Sequence, residues 1–407
     1  MKERKENAFL ILILLLMLLA VAAVVATIVR SSGTQKADPT TQATMESEGD
    51  PMQTTGPAAE GTTSAAVSGK KSYDLEKDVL YFGRTYTQSR IRWFNWSGSG
   101  FSVRFQGSGV AAEFYSDAPE VKHYTYLKVY VDGKEQKDII LREETQIVIL
   151  AEGLDPEKEH TVEVRKRTNI RSSTAGVGRI ELLDGAVLAP LQPKDRLIEF
   201  VGDSLTVGYV ASKDGKTATA WSTTTEDVTK TYCTQIAAAF GAEYQTVAVS
   251  GRGIVRNNGG DAEGLFPQIY RELDMYHQPG AAYDFAVQPD VIVINLGTND
   301  ESAANAQLPE AEFKDGLYRF LKEVRQYNPD AQIVYAYGMV RVKLSGAIES
   351  VVDQLRAEGD GKIHYLQLEQ CQSWELNLNH TVAAAYVSRG EAIIEKIREI
   401  TGWKAGA

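Results

Sequence analysis

The segment L-I-E-F-V-G-D-S-L-T-V-G-Y, residues 197–209, decides the fold of this 407-residue chain. Its apolar first half is typical of a buried strand that ends at Val201. Gly202 and Asp203 then turn the chain sharply before a helix begins. Ser204 is therefore predicted at the carboxyl edge of a parallel sheet, where sites in open α/β folds form. A serine in this position is usually only a helix N-cap, so the segment alone does not establish a nucleophile.

The surrounding region, residues 193–407, alternates short apolar runs with helical patterns. The strand-like runs are rich in Val and Ile, and apolar residues recur every three or four positions between them. This pattern predicts a three-layer α/β domain of flavodoxin-like type, whose parallel sheet is covered by helices on both faces. The predicted strands are LIEFVG (197–202), EYQTVAVS (243–250), VIVINLG (291–297) and QIVYAYG (332–338), and a last helix is predicted over about 382–400.

A different pattern occupies residues 73–192. Short β-like runs, several with alternating apolar and polar residues, are separated by turn residues such as Gly98, Gly107 and Gly133. This pattern predicts a β-sandwich, jelly-roll-like in type, ahead of the α/β domain. It contains no evident set of serine, histidine and carboxylate, so a structural or carbohydrate-contacting role is expected for it.

The N-terminal segment is apolar and follows a basic start. After Lys2, Arg4 and Lys5, the apolar run of residues 8–29 reaches the roughly 20 residues that span a bilayer. We predict a signal anchor over residues 1–30, and the preceding basic residues place the rest of the chain outside the cell. Cleavage near residues 20–26, which would release a secreted protein, is the alternative.

Composition narrows the classes of partner. Residues 31–72 are rich in Ser, Thr and Gly and predict a disordered linker. The formal charge of -11 argues against nucleic acid as a partner, because few basic groups are available to neutralise phosphates. The only cysteines, Cys233 and Cys371, have no metal-ligand spacing, so we expect buried thiols, no metal and no cofactor.

Four sequence blocks resemble those of the SGNH, or GDSL, hydrolases and occur in that family's order. G-D-S-L at 202–205 looks like the first block, and S-G-R-G at 250–253 follows the next strand. G-T-N-D at 297–300 resembles the G-x-N-D block, and His380 precedes the last helix, where the family places its base. Each block alone is weak, but four in order over some 200 residues are specific.

The resemblance implies roles for individual residues. Ser204 would be the nucleophile, and His380 would accept its proton and return it to the leaving alcohol. The backbone N–H groups of Ser204 and Gly251, with the side-chain amide of Asn299, would form the oxyanion hole. We expect Asp203 and Asp300 to support the surrounding loops and not to act as catalytic acids.

One departure from the family concerns the acid that normally orients the histidine. The family usually has an aspartate two or three residues before the histidine, but residues 375–379 read E-L-N-L-N. Our first hypothesis is a Ser–His dyad whose imidazole is oriented by a backbone carbonyl, as in some carbohydrate esterases that this chain resembles. Glu375 or Asn377 could instead hold the Nδ1 proton.

The order of the two domains is similar to that of family 2 carbohydrate esterases, over about residues 81–400. This resemblance implies removal of acetyl groups from polysaccharides such as xylan and mannan. Aromatic side chains that stack on sugar rings are expected in the cleft, and Tyr209, Trp221 and Trp374 are candidates, although each could equally pack in the core. Two alternatives stay open: an esterase or acetyltransferase that acts on cell-wall or surface glycan, and an inactive carbohydrate-binding or adhesion protein on a hydrolase fold.

Overall fold

The computed structural model describes residues 71–117 and 120–404. The predicted signal anchor and nearly all of the predicted linker lie outside these residues. Lys71 and Ser72 already pair with the folded part, because the Lys71 carbonyl accepts a hydrogen bond from the backbone of Leu182 and Ser72 bridges to Glu181. Across the described ranges, no helix has the length and apolar character needed to cross a membrane.

The first part of the described chain forms two antiparallel sheets. The two sheets bury a common core of apolar side chains, among them Phe101, Phe114 and Val164. Full burial of side chains of this size contributes roughly 1.5–3 kcal/mol each. The predicted β-sandwich is therefore confirmed. One sheet contains β1 (Leu80–Phe82), β4 (Gly100–Gln106), β10 (Glu159–Lys166), β6 (Thr125–Val131) and β7 (Lys134–Glu135) in that order, with β12 (Ala186–Val187) beside β4 and β8 (Ile139–Leu141) beside β6. The other contains β2 (Tyr86–Gln88), β3 (Ile91–Trp93), β11 (Gly176–Leu182), β5 (Val110–Tyr115) and β9 (Thr145–Ala151).

The second part is built on a parallel sheet, as predicted, and this sheet has five strands where the sequence pattern indicated four. Its strands lie in the order β14 (Glu243–Ala248), β13 (Leu197–Gly202), β17 (Val291–Asn295), β18 (Gln332–Tyr337) and β19 (Ile363–Gln367). Two short hairpins lie outside this sheet, β15 (Glu272–Asp274) with β16 (Gln278–Ala282), and β20 (Leu376–Asn377) with β21 (His380–Thr381).

Helices cover both faces of this sheet because its strands are apolar on both sides. Successive side chains of a strand point to opposite faces, so Ile292 and Ile294 join one apolar core while Val291 and Val293 join the other. Helices α3 to α5 pack on the first face, and α2 and α6 pack on the second. The helices are α1 (Ser204–Val207), α2 (Tyr232–Ala239), α3 (Phe266–Arg271), α4 (Glu310–Tyr327), α5 (Ser345–Ala357) and α6 (Tyr386–Thr401).

The strand order places a crevice at the end of β13. Strand β13 lies between β14 and β17, so the chain leaves its carboxyl end toward one side first and later returns on the other. Connections from such a strand diverge, and the space between them is where open α/β sheets form their sites. Ser204 directly follows β13 and therefore lies at this point.

The two parts of the described chain are in direct contact. The indole N–H of Trp96 donates to the carbonyl of Leu273 at 2.8 Å, and Arg165 pairs with Glu243 at 2.7 Å. The loop that follows β10 then runs on to Ile170, which is fully buried in the core of the α/β part. This loop is thereby fixed against the edge of the parallel sheet that carries Ser204.

Candidate active site

Ser204 is the first residue of the short helix α1 and is held by a capped turn. The carboxylate of Asp203 accepts the backbone N–H of Leu205 at 3.0 Å, which satisfies one of the donors that a helix start leaves open. Gly202 allows the close approach of α1 to β13, because a Cβ there would lie 1.9 Å from the Thr206 hydroxyl oxygen. The Ser204 side chain thus projects from a turn with little freedom.

His380 lies within hydrogen-bond distance of that serine. Its Nε2 is 2.8 Å from the Ser204 Oγ, and its Nδ1 is 2.8 Å from the carbonyl oxygen of Leu378. A carbonyl can only accept, so Nδ1 carries the proton and the unprotonated Nε2 faces the serine hydroxyl. The geometry therefore presents the serine to a base in the tautomer that can take its proton.

The carbonyl that orients His380 belongs to a strained turn. Leu378 and Asn379 join β20 to β21, and both have positive φ, +46° and +59°. A two-residue hairpin of this kind needs φ above zero at both central residues, which Asn and Gly accept and which Leu rarely adopts. The fold keeps Leu378 in this conformation, and its carbonyl then points at the imidazole.

The two side chains considered as orienters of His380 are engaged elsewhere. Glu375 is buried in a two-pronged ion pair with Arg389, at 2.5 and 3.0 Å. The amide of Asn377 donates to the carbonyls of Gly215 and Ala218, at 2.6 and 2.9 Å. Both side chains stabilise the segment around the hairpin, and the backbone hypothesis describes the observed contact.

Ser204 and Gly251 both line the cleft, and no described residue accepts a hydrogen bond from the backbone N–H of either one. As the first residue of α1, Ser204 has an N–H without a partner inside the helix. Among the described residues, the N–H of Gly251 has no hydrogen-bond acceptor. Gly251 has φ +81°, a conformation that a side chain would strain. Both groups are available to a developing oxyanion.

Asn299 lines the same space, but its side-chain amide is already hydrogen-bonded. Its Nδ2 donates to Asp203 at 3.1 Å and to the carbonyl of Arg252 at 2.8 Å. Both amide hydrogens are therefore in use. To donate to a substrate oxygen, Asn299 has to share one of them, and the longer contact, to Asp203, is the weaker of the two.

The two aspartates near the serine hold backbone and amide groups. Asp300 accepts the backbone N–H groups of Ile254, Val255 and Arg256 at 2.8–2.9 Å, which fixes the loop after Gly251. Asp203 is fully buried, and burial raises its pKa to about 7 although the Leu205 N–H favours its ionised form. Neither carboxylate contacts His380, as expected for supporting residues.

These groups open into a cleft of about 380 Å³. Ser204, Gly251, Asn299 and His380 form its floor. The remaining walls come from both parts of the chain, with His123, Asn169, Arg171 and Ser172 from the β-sandwich and Tyr209, Trp221, Glu226, Ser250 and Asn258 from the α/β part. The cleft is therefore shared between the two parts.

The three candidate aromatic platforms take different positions. Tyr209 and Trp221 line the cleft and stack on each other, with ring centroids 5.6 Å apart. Trp374 does not line the cleft, and it is not packed in the core either, because 74% of its surface is exposed to solvent. The short 3₁₀ turn Ser373–Glu375 directs Glu375 inward to Arg389, and the neighbouring Trp374 consequently points outward. The structure thus places two of the three candidate platforms in the cleft and Trp374 outside it.

Sequence reasoning missed the part of the wall that the β-sandwich supplies. Arg171 donates to the carbonyl of Ser250 at 2.9 Å, directly beside Gly251. The ring of His123 meets the edge of Trp221, with centroids 5.6 Å apart. The buried Glu226 accepts the backbone N–H of Asn169 at 2.8 Å and the indole N–H of Trp221 at 3.2 Å. In the sequence, only the carboxylate of Glu226, five residues after Trp221, pointed to this wall, and its burial is visible only in the structure.

Burial changes the pKa of both the proposed base, His380, and the wall residue Glu226. It lowers the pKa of His380 below the ordinary value of 6.5, although the hydrogen bond to Leu378 opposes the change. Burial also raises the pKa of Glu226, while the N–H of Asn169 opposes that shift. His380 is consequently neutral, and able to act as a base, at neutral pH.

Ser204 lies at the end of a parallel strand, is hydrogen-bonded to a neutral histidine and has open N–H groups beside it. This is the arrangement of an α/β serine hydrolase. Family comparison agrees with this class. Residues 81–191 match the carbohydrate esterase 2 N-terminal family, and residues 200–374 match the GDSL-like lipase/acylhydrolase family. The chain therefore combines these two domains, and the predicted resemblance and fold class are confirmed.

Individual relatives match 65–80% of this chain. Cellulase/esterase CelE of Acetivibrio thermocellus is 27% identical over 347 residues, which make up 80% of this chain but 40% of that protein. An acetylxylan esterase/glucomannan deacetylase of Cellvibrio japonicus is 28% identical over 287 residues, 65% of this chain and 74% of the relative. The solved structure of a family two carbohydrate esterase from Clostridium thermocellum, in complex with cellohexaose, is 26% identical with a TM-score of 0.74 and covers 80% of this chain and 99% of that one.

Proposed function

We propose that this protein is a carbohydrate acetyl esterase in which Ser204 is the nucleophile and His380 the general base. The observation that carries the proposal is the 2.8 Å contact between the Ser204 Oγ and the unprotonated His380 Nε2, on the floor of a cleft beside two open N–H groups. Relatives named as an esterase and as a deacetylase support the same chemistry.

The first half of the reaction transfers the acetyl group to the enzyme. The Ser204 Oγ attacks the acetyl carbonyl carbon while its proton passes to the Nε2 of His380. The N–H groups of Ser204 and Gly251 stabilise the negative charge on the carbonyl oxygen, and one such donor is worth about 3 kcal/mol. His380 then returns the proton to the sugar oxygen as the ester bond breaks.

The second half releases acetate. Water takes the place of the sugar alcohol and attacks the acetyl carbon of the acetyl-serine while His380 removes its proton. The bond between that carbon and the Ser204 Oγ then breaks, acetate leaves, and His380 returns the proton to the Oγ. The same N–H groups stabilise the second tetrahedral intermediate. In sum, one ester bond and one water give an alcohol and acetate, and the enzyme is regenerated.

The Leu378 carbonyl takes the orienting part that a carboxylate has in a Ser–His–Asp triad. It accepts the Nδ1 proton at 2.8 Å and so fixes both the tautomer and the ring direction. It carries no full charge, so it stabilises the imidazolium less than a carboxylate does. Other contacts of the imidazole then matter more.

Hydrolysis of a chromogenic acetate tests the proposal. We expect easily measured turnover in the parent and a fall of at least about 10³-fold in Ser204→Ala and His380→Ala, because each removes a group that forms or breaks bonds. Ser350→Ala and His364→Ala are matched controls, since Ser350 lies on α5 and His364 on β19, and should keep parental turnover. Similar rates in all five proteins would contradict the esterase proposal and would favour a binding protein on this fold.

The polysaccharide is proposed from a relative's name. The Cellvibrio japonicus relative is named an acetylxylan esterase and glucomannan deacetylase, so we expect acetate release from acetylated xylan or glucomannan. Peptidoglycan fragments and a surface glycan form the competing arm of the assay, with added acceptor sugars to detect acetyl transfer. Acetate release from the peptidoglycan fragments alone would mean that the substrate is cell-wall glycan and not xylan or glucomannan.

We place the catalytic part outside the cell on the basis of the N-terminal sequence. The basic start and the apolar run of residues 8–29 support a membrane anchor or a cleaved leader. Fractionation of cells that express the whole chain, followed by N-terminal sequencing, distinguishes the two. Recovery from the cytoplasm would contradict both.

A further inference from the structure

Tyr209 lies in a stack of rings that includes the proposed catalytic base. Its ring centroid is 4.2 Å from that of His380, and the two planes are 28° apart. Trp221 stacks on the same tyrosine, with centroids 5.6 Å apart and planes 14° apart. Because two rings already stack on Tyr209, it is poorly placed to receive a sugar ring. Trp221 is the better candidate for that platform.

The contact with His380 matters because the charge of this ring changes during the reaction. His380 becomes an imidazolium when it takes the Ser204 proton, and the cation lies against the face of Tyr209. An aromatic face carries partial negative charge and attracts a cation, more strongly where water is excluded. Within the described part of the chain, the neutral carbonyl of Leu378 is the only hydrogen-bond partner of Nδ1.

We propose that Tyr209 is a positioning residue for the base: its ring holds the imidazole against the Leu378 carbonyl and stabilises the imidazolium formed during acyl transfer. The inference rests on the proposed function, because it requires His380 to act as the base. The Tyr209 ring then stabilises the imidazolium, as the carboxylate of a Ser–His–Asp triad does.

The surroundings of Tyr209 fit this role. Its backbone N–H donates to the Ser204 carbonyl at 3.1 Å, so the turn that carries the nucleophile also carries the ring. Its own carbonyl accepts the Thr225 hydroxyl at 2.8 Å. Behind it, the indole N–H of Trp221 donates to the buried carboxylate of Glu226 at 3.2 Å. The stack is thus fixed at both ends.

Three replacements of Tyr209 separate the ring from the hydroxyl and from mere packing. Tyr209→Phe keeps the ring and should retain kcat within about twofold. Tyr209→Leu removes the aromatic face, and kcat on a chromogenic acetate should fall about fivefold to tenfold with a smaller change in KM. Pentafluorophenylalanine at position 209 keeps the shape but reverses the ring electrostatics, so its kcat should fall in the same direction. This third variant keeps the test decisive if Tyr209→Leu does not fold.

The acid limb of the pH profile distinguishes a ring that stabilises the imidazolium from a ring that only packs the site. Loss of the ring should shift the limb in opposite directions in the two cases. Loss of an aromatic partner disfavours the imidazolium, so in Tyr209→Leu and the fluorinated variant the limb should shift to lower pH by about half a unit. If the ring only packed the site, its loss would admit water and shift the limb upward toward 6.5, because burial is what lowers the pKa of His380. His123, Arg171 and Glu226 line the cleft and stay in place in every variant, as does Asp203 next to the nucleophile.

The outcomes for Tyr209 and for the dyad are distinguishable. If Ser204→Ala and His380→Ala keep parental turnover, the esterase proposal itself fails. If they lose it while Tyr209→Leu keeps the parental kcat and pH profile, only the role of Tyr209 is overturned. An upward shift of the limb, or equal loss in Tyr209→Phe and Tyr209→Leu, also overturns it. A loss restored by Phe, together with a downward shift, supports it.

Discussion

At the scale of single residues, His380 sets the pH range of the reaction. The base works as neutral imidazole, so activity is lost as pH falls through its pKa. Burial lowers that pKa below 6.5, and the active form therefore persists to lower pH than for an exposed histidine. We expect the acid limb of kcat/KM on a chromogenic acetate to have its midpoint below pH 6.5. A midpoint at or above 6.5 would show that the cleft is more hydrated than the structure indicates.

Asp203 is expected to matter through the donors that it accepts. In Asp203→Asn, the new NH₂ group must face the N–H of either Leu205 or Asn299, and one hydrogen bond becomes a repulsion. An unpaired buried donor costs about 1–3 kcal/mol, so the free energy of unfolding should fall by that amount. Because the turn at Ser204 moves too, kcat should fall about tenfold.

Denaturant unfolding and single-substrate kinetics measure both effects. The exposed Asp315 pairs with Arg319 on the surface of α4, and Asp315→Asn is the matched control that should leave both quantities unchanged. If Asp203→Asn loses all turnover without loss of stability, Asp203 takes part in the chemistry itself.

The sequence and its family resemblance predicted the residues of the dyad and a backbone carbonyl as the orienting group, but not which carbonyl this is or the turn that presents it. Four blocks follow strands or precede a helix, and their order alone brings Ser204 and the G-x-N-D loop to one sheet edge. The orienting carbonyl depends on positive φ at Leu378, and neither residue type nor spacing signals that conformation. Leucine has low preference for it, so tertiary packing overrides local preference there.

At the scale of elements, the hairpin of β20 and β21 is what delivers the base. Its strands have two residues each, too few for a periodic pattern to be recognised. The sequence therefore predicted only that His380 precedes a helix over about 382–400. The observed α6 begins at Tyr386, after a 3₁₀ turn at Ala383–Ala385. Residues 382–385, which were predicted as the start of this helix, instead connect β21 to it through that 3₁₀ turn.

The hairpin can be tested through the turn residue Leu378. Asparagine tolerates φ above zero, so Leu378→Asn should keep activity within a fewfold and change the free energy of unfolding by no more than about 1 kcal/mol. Proline locks φ near −65° and cannot adopt the observed +46°. Leu378→Pro should therefore redirect the carbonyl and lower kcat at least about 100-fold.

The comparison of these two variants separates backbone from side chain, because both remove the leucine. Thermal unfolding shows whether Leu378→Pro is folded, and kcat on a chromogenic acetate shows whether His380 still acts as the base. Equal activity of the two variants would mean that the Leu378 carbonyl does not orient His380.

At the scale of the whole molecule, the cleft exists only because the β-sandwich packs on the α/β part. Loop residues 169–172 supply one wall and reach the site through long-range contacts. The bond between Asn169 and Glu226 spans 57 residues, and no local pattern encodes it. The architecture could thus be predicted from periodicity and block order, whereas the shape of the substrate wall could not.

Glu226 is the side chain that joins the two walls. Its carboxylate accepts one N–H from Asn169 and another from Trp221, and glutamine can accept only with one oxygen while its NH₂ opposes the other donor. Glu226→Gln should therefore loosen the Trp221 platform. We expect KM for an acetylated polysaccharide to rise about tenfold, and kcat on a small chromogenic acetate to change less than threefold.

The same substitution also removes one of the negative charges that favour the protonated form of Lys166, a fully buried side chain that donates to the carbonyls of Thr168 and Asn169. A buried charge left alone costs about 3 kcal/mol or more, whereas removal of both charges costs far less. The double variant Glu226→Gln/Lys166→Met should thus recover part of the stability lost in Glu226→Gln but not the polysaccharide KM, since the Trp221 contact stays broken. Denaturant unfolding and kinetics on both substrates measure the two effects. If the double variant recovers the polysaccharide KM together with stability, the contacts of Glu226 with Asn169 and Trp221 affect KM only through folding. The wall from the β-sandwich would then not select the substrate.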